Sequence, residues 1–296
     1  MPSKSGFSGV YPMVYAFFDG SGNVNMSALK AQVEAALRHD VDGIGVLGLA
    51  TETNKLSTAE RLLILEKTAE AVAGRVPLSV TIAETTIEGQ KSFARQAVAI
   101  GARWLVLQPP PAKDVAEADL IEFFGAVADS VDVPIGIQNA PMYLGIGLSA
   151  AGLTALAKQH PRVSILKIED DPLAIPPLIE ATQGRFDVFV GRGGMEMLAC
   201  IKAGAIGLIP GLETCDRTTK AFHLAAGDPD GALAAYREAE SAIVYLEKSL
   251  NHFVTYGKEL AAHRLGIASV YHRLPCPMTP FGKGLVQDYA AKLGQL

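Results

Sequence analysis

Short, nearly continuous apolar runs alternate along this chain with longer segments whose apolar residues recur at helical spacing. The runs Val10–Phe18, Gly43–Leu47, Leu78–Ile82, Trp104–Leu107, Pro134–Ile137, Ser164–Ile168, Phe186–Val190 and Ala205–Ile209 predict eight strands. Strands apolar on both faces suit a parallel sheet covered by helices. Helix starts are legible between them. Ser57 to Glu60 spells a capping box, Thr86 precedes a helix reaching about Ile100, and Ser149 precedes one ending near Gln159. Eight strand–helix alternations predict an α/β fold of the (β/α)8 TIM-barrel type; a doubly wound open sheet is the runner-up and usually has fewer units.

The pattern changes after about residue 226. Asp228-Pro229 opens a helix, and Gly231–Leu250, His252–Leu265 and Lys283–Leu293 read as helical with no further strand. The expected organisation is a catalytic barrel over residues 1–225 and a C-terminal helical extension over 226–296.

Composition narrows the function. Apolar residues make up 49% of the 296 positions and charged residues 19%, enough for a large core. A net charge of −5 with no basic run argues against nucleic acid as a partner. There is no apolar run long enough to cross a membrane, and Met1–Gly9 has no apolar signal region, so no membrane association and a cytoplasmic location are expected. Cys200, Cys215 and Cys276 are far apart and show no CxxC metal spacing, which argues against a disulfide framework. The histidines 39, 160, 223, 252, 263 and 272 show no ligand spacing, and no metal site is expected. Gly43-Ile44-Gly45-Val46-Leu47-Gly48 matches a dinucleotide fingerprint, yet it lies on a strand rather than at a strand-to-helix turn; small residues inside a barrel are the better reading.

Barrel chemistry sits where strands end. The strand ends here carry Gly48-Leu49-Ala50-Thr51-Glu52, Gln138-Asn139-Ala140-Pro141, Lys167-Ile168-Glu169, Gly191-Arg192-Gly193-Gly194 and Ile209-Pro210-Gly211. Lys167 interrupts an otherwise apolar strand and shares a face with Ile165 and Glu169. In a poorly hydrated interior the ammonium is disfavoured, and a free amine is a nucleophile towards carbonyls. The alternative is a strand-end lysine held by Glu169 or Asp170 in an ion pair. Tyr11, Tyr15 and Tyr143 read as packing residues, Tyr143 being on the active rim; Arg192 meets either an anionic substrate or solvent.

These landmarks resemble, in order and at similar intervals over the whole length, the dihydrodipicolinate synthase / N-acetylneuraminate lyase family. Gly48–Glu52 stands where that family has its Gly-Thr-Thr-Gly-Glu loop, Gln138–Pro141 where it has Tyr-Asn-x-Pro, and Lys167 where it has its imine-forming lysine. The resemblance implies a Schiff base between Lys167 and a 2-oxo acid, with no cofactor, and a homo-oligomer, a dimer or tetramer. It implies catalytic roles for Lys167, Gln138 and Glu52, and substrate binding at Ala50, Thr51, Asn139, Glu169, Gly191 and Ile209, the substrate carboxylate resting on amides near Ala50 and Thr51. The departures point away from dihydrodipicolinate synthesis. Leu49 and Ala50 replace two hydroxyl side chains, Gln138 replaces a proton-relaying tyrosine, Tyr143 stands for an arginine, and Pro109-Pro110 for an interface aromatic pair. Gln138 cannot titrate near neutrality. Gln-x-Ala-Pro followed by Lys-Ile-Glu is closer to the branch that dehydrates 2-keto-3-deoxy sugar acids such as L-2-keto-3-deoxyarabonate. A pyruvate-dependent aldolase is the alternative of the same class, and a non-catalytic 2-oxo acid binding protein the alternative of another.

Overall fold

The structure, a computed structural model, describes residues 3–112, 114–273 and 278–296. Cys276 lies outside them. Eight parallel strands form one sheet: β1 (Gly9–Val10), β2 (Ile44–Val46), β3 (Leu78–Ile82), β4 (Trp104–Leu107), β5 (Ile135–Asn139), β6 (Val163–Ile168), β7 (Asp187–Val190) and β8 (Gly207–Leu208). The order is β1-β8-β7-β6-β5-β4-β3-β2, so each strand from β2 to β8 lies beside its sequence neighbour and β1 returns to β8. At the remaining seam the chain beyond β1 reaches β2 by a single bridge, Met13 to Gly45. There the Gly45 amide donates to Pro12 and the Val14 amide donates to Gly45, both at 3.0 Å.

The long first strand expected over Val10–Phe18 is instead a two-residue ladder followed by extended chain. Pro12 has no amide to donate, and the amides after it turn to different partners: Met13 to Pro210, Val14 to Gly45, and Tyr15 to the Gln32 side chain. β3 and β4 match the expected runs, and β5 continues two residues further, placing Gln138 and Asn139 on the strand itself.

Tyr11, Trp104 and Phe189 fill the space inside the sheet, with ring centroids 5.1 to 5.8 Å apart. Their bulk explains the glycines of the false fingerprint. A Cβ on Gly43 would overlap the Tyr11 ring, and one on Gly45 or Gly48 would press on the Met13 side chain.

The expected caps are present: Ser57 and Glu60 close a capping box on Thr58–Val72, and Thr86, Ser149 and Asp228 accept amides at the starts of their helices. In the C-terminal part, Pro229–Leu246 ends before the expected Leu250. A short turn at Leu250–His252 runs into a π-helical turn, Phe253–Gly257, and then into Lys258–Leu265; Pro280–Leu293 closes the chain. Among the described residues no helix is long and apolar enough to cross a membrane.

Candidate active site

Lys167 is five per cent exposed and stands on β6 between Gln138 of β5 and Phe189 of β7 in the sheet register. Its Nζ lies 2.5 Å from Oε1 of Glu169, two residues along on the same face. Glu169 is held from three directions. Lys167 and, at 3.5 Å, the Gln138 amide reach Oε1, while the backbone amide of Arg192 donates to Oε2 at 2.6 Å. Gln108, just beyond β4, donates to the Gln138 carbonyl oxygen at 2.9 Å and fixes which way that amide faces. A Cβ on Gly191 would overlap the Glu169 carboxylate, so this carboxylate occupies space that only a glycine leaves open.

Lys167 and Glu169 open into a cavity lined also by Met13, Leu49, Ala50, Tyr143, Arg192, Ile209, Glu247 and Phe253. Of the residues expected from sequence, Lys167, Glu169, Ala50 and Ile209 line it, and Gln138 and Gly191 touch Glu169 from behind.

The loop after β2 is set by two left-handed residues, Leu47 and Glu52, at φ 62° and 57°. Non-glycine residues rarely adopt this conformation, and it clusters at functional sites. Arg192, at φ 51°, is a third at the same rim. Within the loop the Thr51 amide donates to Gly48, and its hydroxyl donates to Val14 at 2.6 Å. Thr51 is therefore committed to the protein. The amides of Leu49 and Ala50 have no protein acceptor among the described residues, and both residues line the cavity.

Glu52 does not line the cavity. It pairs with Lys55 at 2.8 Å and with the fully buried Lys258. Burial pushes its carboxyl up, but the Lys258 and Lys55 ammonium groups together outweigh burial and hold it below the ordinary glutamate value. Asn139 is likewise turned away, its amide clamping Leu148 through N–H donation in both directions, at 2.8 and 3.0 Å.

Glu247, Leu250 and Phe253, which reach the cavity from the C-terminal helices, carry no signal in the sequence. Burial, reinforced by the charges of Glu169 and Glu213, pushes the Glu247 carboxyl up to about 8. Tyr143 is 40% exposed, and burial together with the Glu247 and Glu169 charges raises its phenol. Beneath the rim, Tyr15 donates to Glu213 at 2.7 Å, and complete burial raises that carboxyl to about 7. Among the described residues no cluster of three or more His, Cys, Asp or Glu is placed to hold a metal ion.

Similarity to known proteins places the chain in a family. The chain is 29% identical over 242 residues to L-2-keto-3-deoxyarabonate dehydratase of Azospirillum brasilense, covering 78% of this chain and 72% of that protein. It is 28% identical over 241 residues to 4-hydroxy-tetrahydrodipicolinate synthase of Xanthomonas campestris pv. campestris, covering 77% and 78%. Its fold matches the crystal structure of chloride-inhibited dihydrodipicolinate synthase from Acinetobacter baumannii complexed with pyruvate, with a TM-score of 0.88 at 19% identity over 98% of this chain and 99% of that one. The family model of the dihydrodipicolinate synthetase family matches residues 6–292, and the chain belongs to that family.

Proposed function

We propose that this chain is a (β/α)8-barrel lyase, its sheet completed across the Met13–Gly45 seam, that binds a 2-oxo acid as a Schiff base on Lys167 and dehydrates a 2-keto-3-deoxy sugar acid. The observation that carries the reading is the buried Lys167 opening into a cavity with Glu169 in direct contact with its Nζ. The ion pair foreseen as the alternative role of this lysine is therefore also its activating device. Glu169 accepts a proton from the ammonium, and the amine attacks the keto carbon. The carbinolamine loses water, and the resulting protonated imine acts as an electron sink.

The substrate carboxylate rests on the Leu49 and Ala50 amides, which have no protein acceptor among the described residues, so the proposed cradle keeps Ala50 and takes Leu49 in place of Thr51. Gln138 holds Glu169 in place and transfers no proton, since an amide does not titrate near neutrality. Gly191 makes room for the Glu169 carboxylate, and Ile209 supplies an apolar wall. Loss of the C3 proton and of the C4 hydroxyl gives an unsaturated imine; loss of a C5 proton to the enol, its ketonisation with protonation at C4, reprotonation at C3 and hydrolysis of the imine release the semialdehyde and free Lys167. The A. brasilense dehydratase supports this choice of substrate class.

A second reading, addition of the enamine to an aldehyde, is favoured by the near-equal similarity to the Xanthomonas synthase. Borohydride reduction in the presence of pyruvate, followed by intact-protein mass measurement, tests the imine. An adduct on wild type that is absent from Lys167→Ala is the expected result, and no adduct with any 2-oxo acid would refute it. Incubation with 2-keto-3-deoxy-L-arabonate separates the two reactions: a semialdehyde product supports dehydration, whereas release of pyruvate supports the aldolase.

A further inference from the structure

Glu247 stands just past the C-terminal end of helix Pro229–Leu246 and lines the same cavity as Lys167, Glu169 and Arg192. Its carboxyl lies over Gly193, where a Cβ would overlap it. The two cavity carboxyls differ in one respect. Both oxygens of Glu169 are bound by the protein, whereas among the described residues no hydrogen bond or ion pair reaches either oxygen of Glu247. A half-buried carboxyl without a partner is disfavoured as an anion, and the helix C-terminus beside it disfavours the anion further.

The groups facing Glu247 are Lys167 and Glu169 from β6, Arg192 after β7, Glu213 after β8, Tyr143 after β5 and Tyr15 from the first segment. Burial and the two carboxylates favour its acid form, Arg192 and Lys167 oppose them, and the balance leaves it protonated near neutrality. It is therefore a proton donor lining a cavity whose other carboxylate is hydrogen-bonded by the protein through both oxygens.

We propose that Glu247 is the general acid of the dehydration, protonating the hydroxyl that leaves C4 of the imine-bound sugar acid. The inference rests on the Lys167 imine. Glu169 first removes the C3 proton, and the C–H electron pair makes the C2–C3 enamine. The nitrogen lone pair then re-forms the iminium, the C2–C3 pair moves to C3–C4, and the C4–O bond breaks with its electrons on oxygen. That oxygen takes the Glu247 proton and departs as water, leaving Glu247 as the carboxylate. Proton exchange with solvent resets both carboxyls, and no oxidant or reductant is involved. The same donor would explain how the site works with an amide at position 138.

The test compares wild type with Glu247→Gln, which keeps shape and removes the acid. Borohydride trapping with pyruvate should label both proteins equally. Turnover of 2-keto-3-deoxy-L-arabonate should fall about 100-fold in the variant, within the range of general-acid contributions. The wild-type decline of kcat as pH rises through about 8 should disappear with it. With the 4-fluoro analogue, whose fluoride leaves without protonation, the variant should approach wild-type rate. Turnover of the hydroxyl substrate within about threefold of wild type would overturn the acid role, as would an equal loss on both substrates or a variant that no longer forms the adduct. Wild type that forms no adduct, or forms it without dehydrating, would overturn the underlying reading, and this inference with it.

Discussion

Lys258 and Glu52 form a buried ion pair between the C-terminal helices and the loop that follows β2, with the Lys258 side chain fully removed from solvent. Lys55 shares the same carboxylate, so the loop carrying Leu49 and Ala50 is tied to residues 206 positions away. Removing Lys258 leaves the buried Glu52 carboxylate with Lys55 as its remaining cation. Lys258→Met should lower unfolding stability by about 3 kcal/mol in urea titrations. Adding Glu52→Gln should recover part of the loss. Full stability in the single variant would mean that the pair contributes nothing to the fold.

Gly191 should tolerate no side chain. In Gly191→Ala the new Cβ and the Glu169 carboxylate cannot both keep their places. Displacing Glu169 by about 1 Å should slow adduct formation on Lys167 by about 100-fold while leaving the far-UV circular dichroism unchanged. Single-turnover trapping with borohydride measures it, and a wild-type trapping rate would show that the position of Glu169 does not matter.

Acid should weaken the chain partly through Glu60. The Arg273 guanidinium and the Ser57 cap hold this carboxyl down to about 2, below its unfolded value. A depressed carboxyl stabilises the folded state above its unfolded pKa, and that contribution is lost as pH falls from about 4.5 towards 2. Glu60→Gln should be less stable than wild type at pH 7 and should lose less stability across that window. Parallel curves of stability against pH would exclude the linkage.

Much of this was legible in the sequence because strands and capped helices are written locally. β3 and β4 lie where the apolar runs place them, and the Ser57–Glu60 box closes as its spacing requires. Lys167 stood out because a charge inside an apolar strand is conspicuous. Val10–Phe18 misled because hydrophobicity reports burial and not hydrogen-bond partners; Pro12 and the divided amides beyond it broke the ladder. Glu52 reads from sequence as a site acid because its position is right, yet only the tertiary fold brings Lys258 to it. Glu247 carries no local mark at all. A glutamate at the end of an amphipathic helix reads as a solvated residue until the helix is packed over the strand ends.

The buried thiols should be slow to react. Cys200 and Cys215 are buried, and burial raises both, Cys200 to about 11. The thiolate is the reactive form, so iodoacetamide at pH 7.5 should label both sites at least tenfold faster in urea than in the native protein. Peptide mapping identifies each site, and native labelling as fast as in urea would place these thiols in contact with solvent.

At Met13 the seam of the sheet and the wall of the cavity meet in one residue. Elsewhere neighbouring strands share ladders, but here one residue bridges Gly45 on one side and Gly211 on the other while its side chain lines the cavity. A join without a ladder can open locally. Any molecule that packs on Met13 and binds only the closed form therefore raises the free energy of that opening. A ligand seated on Met13 would therefore brace the join that the sheet makes without a ladder.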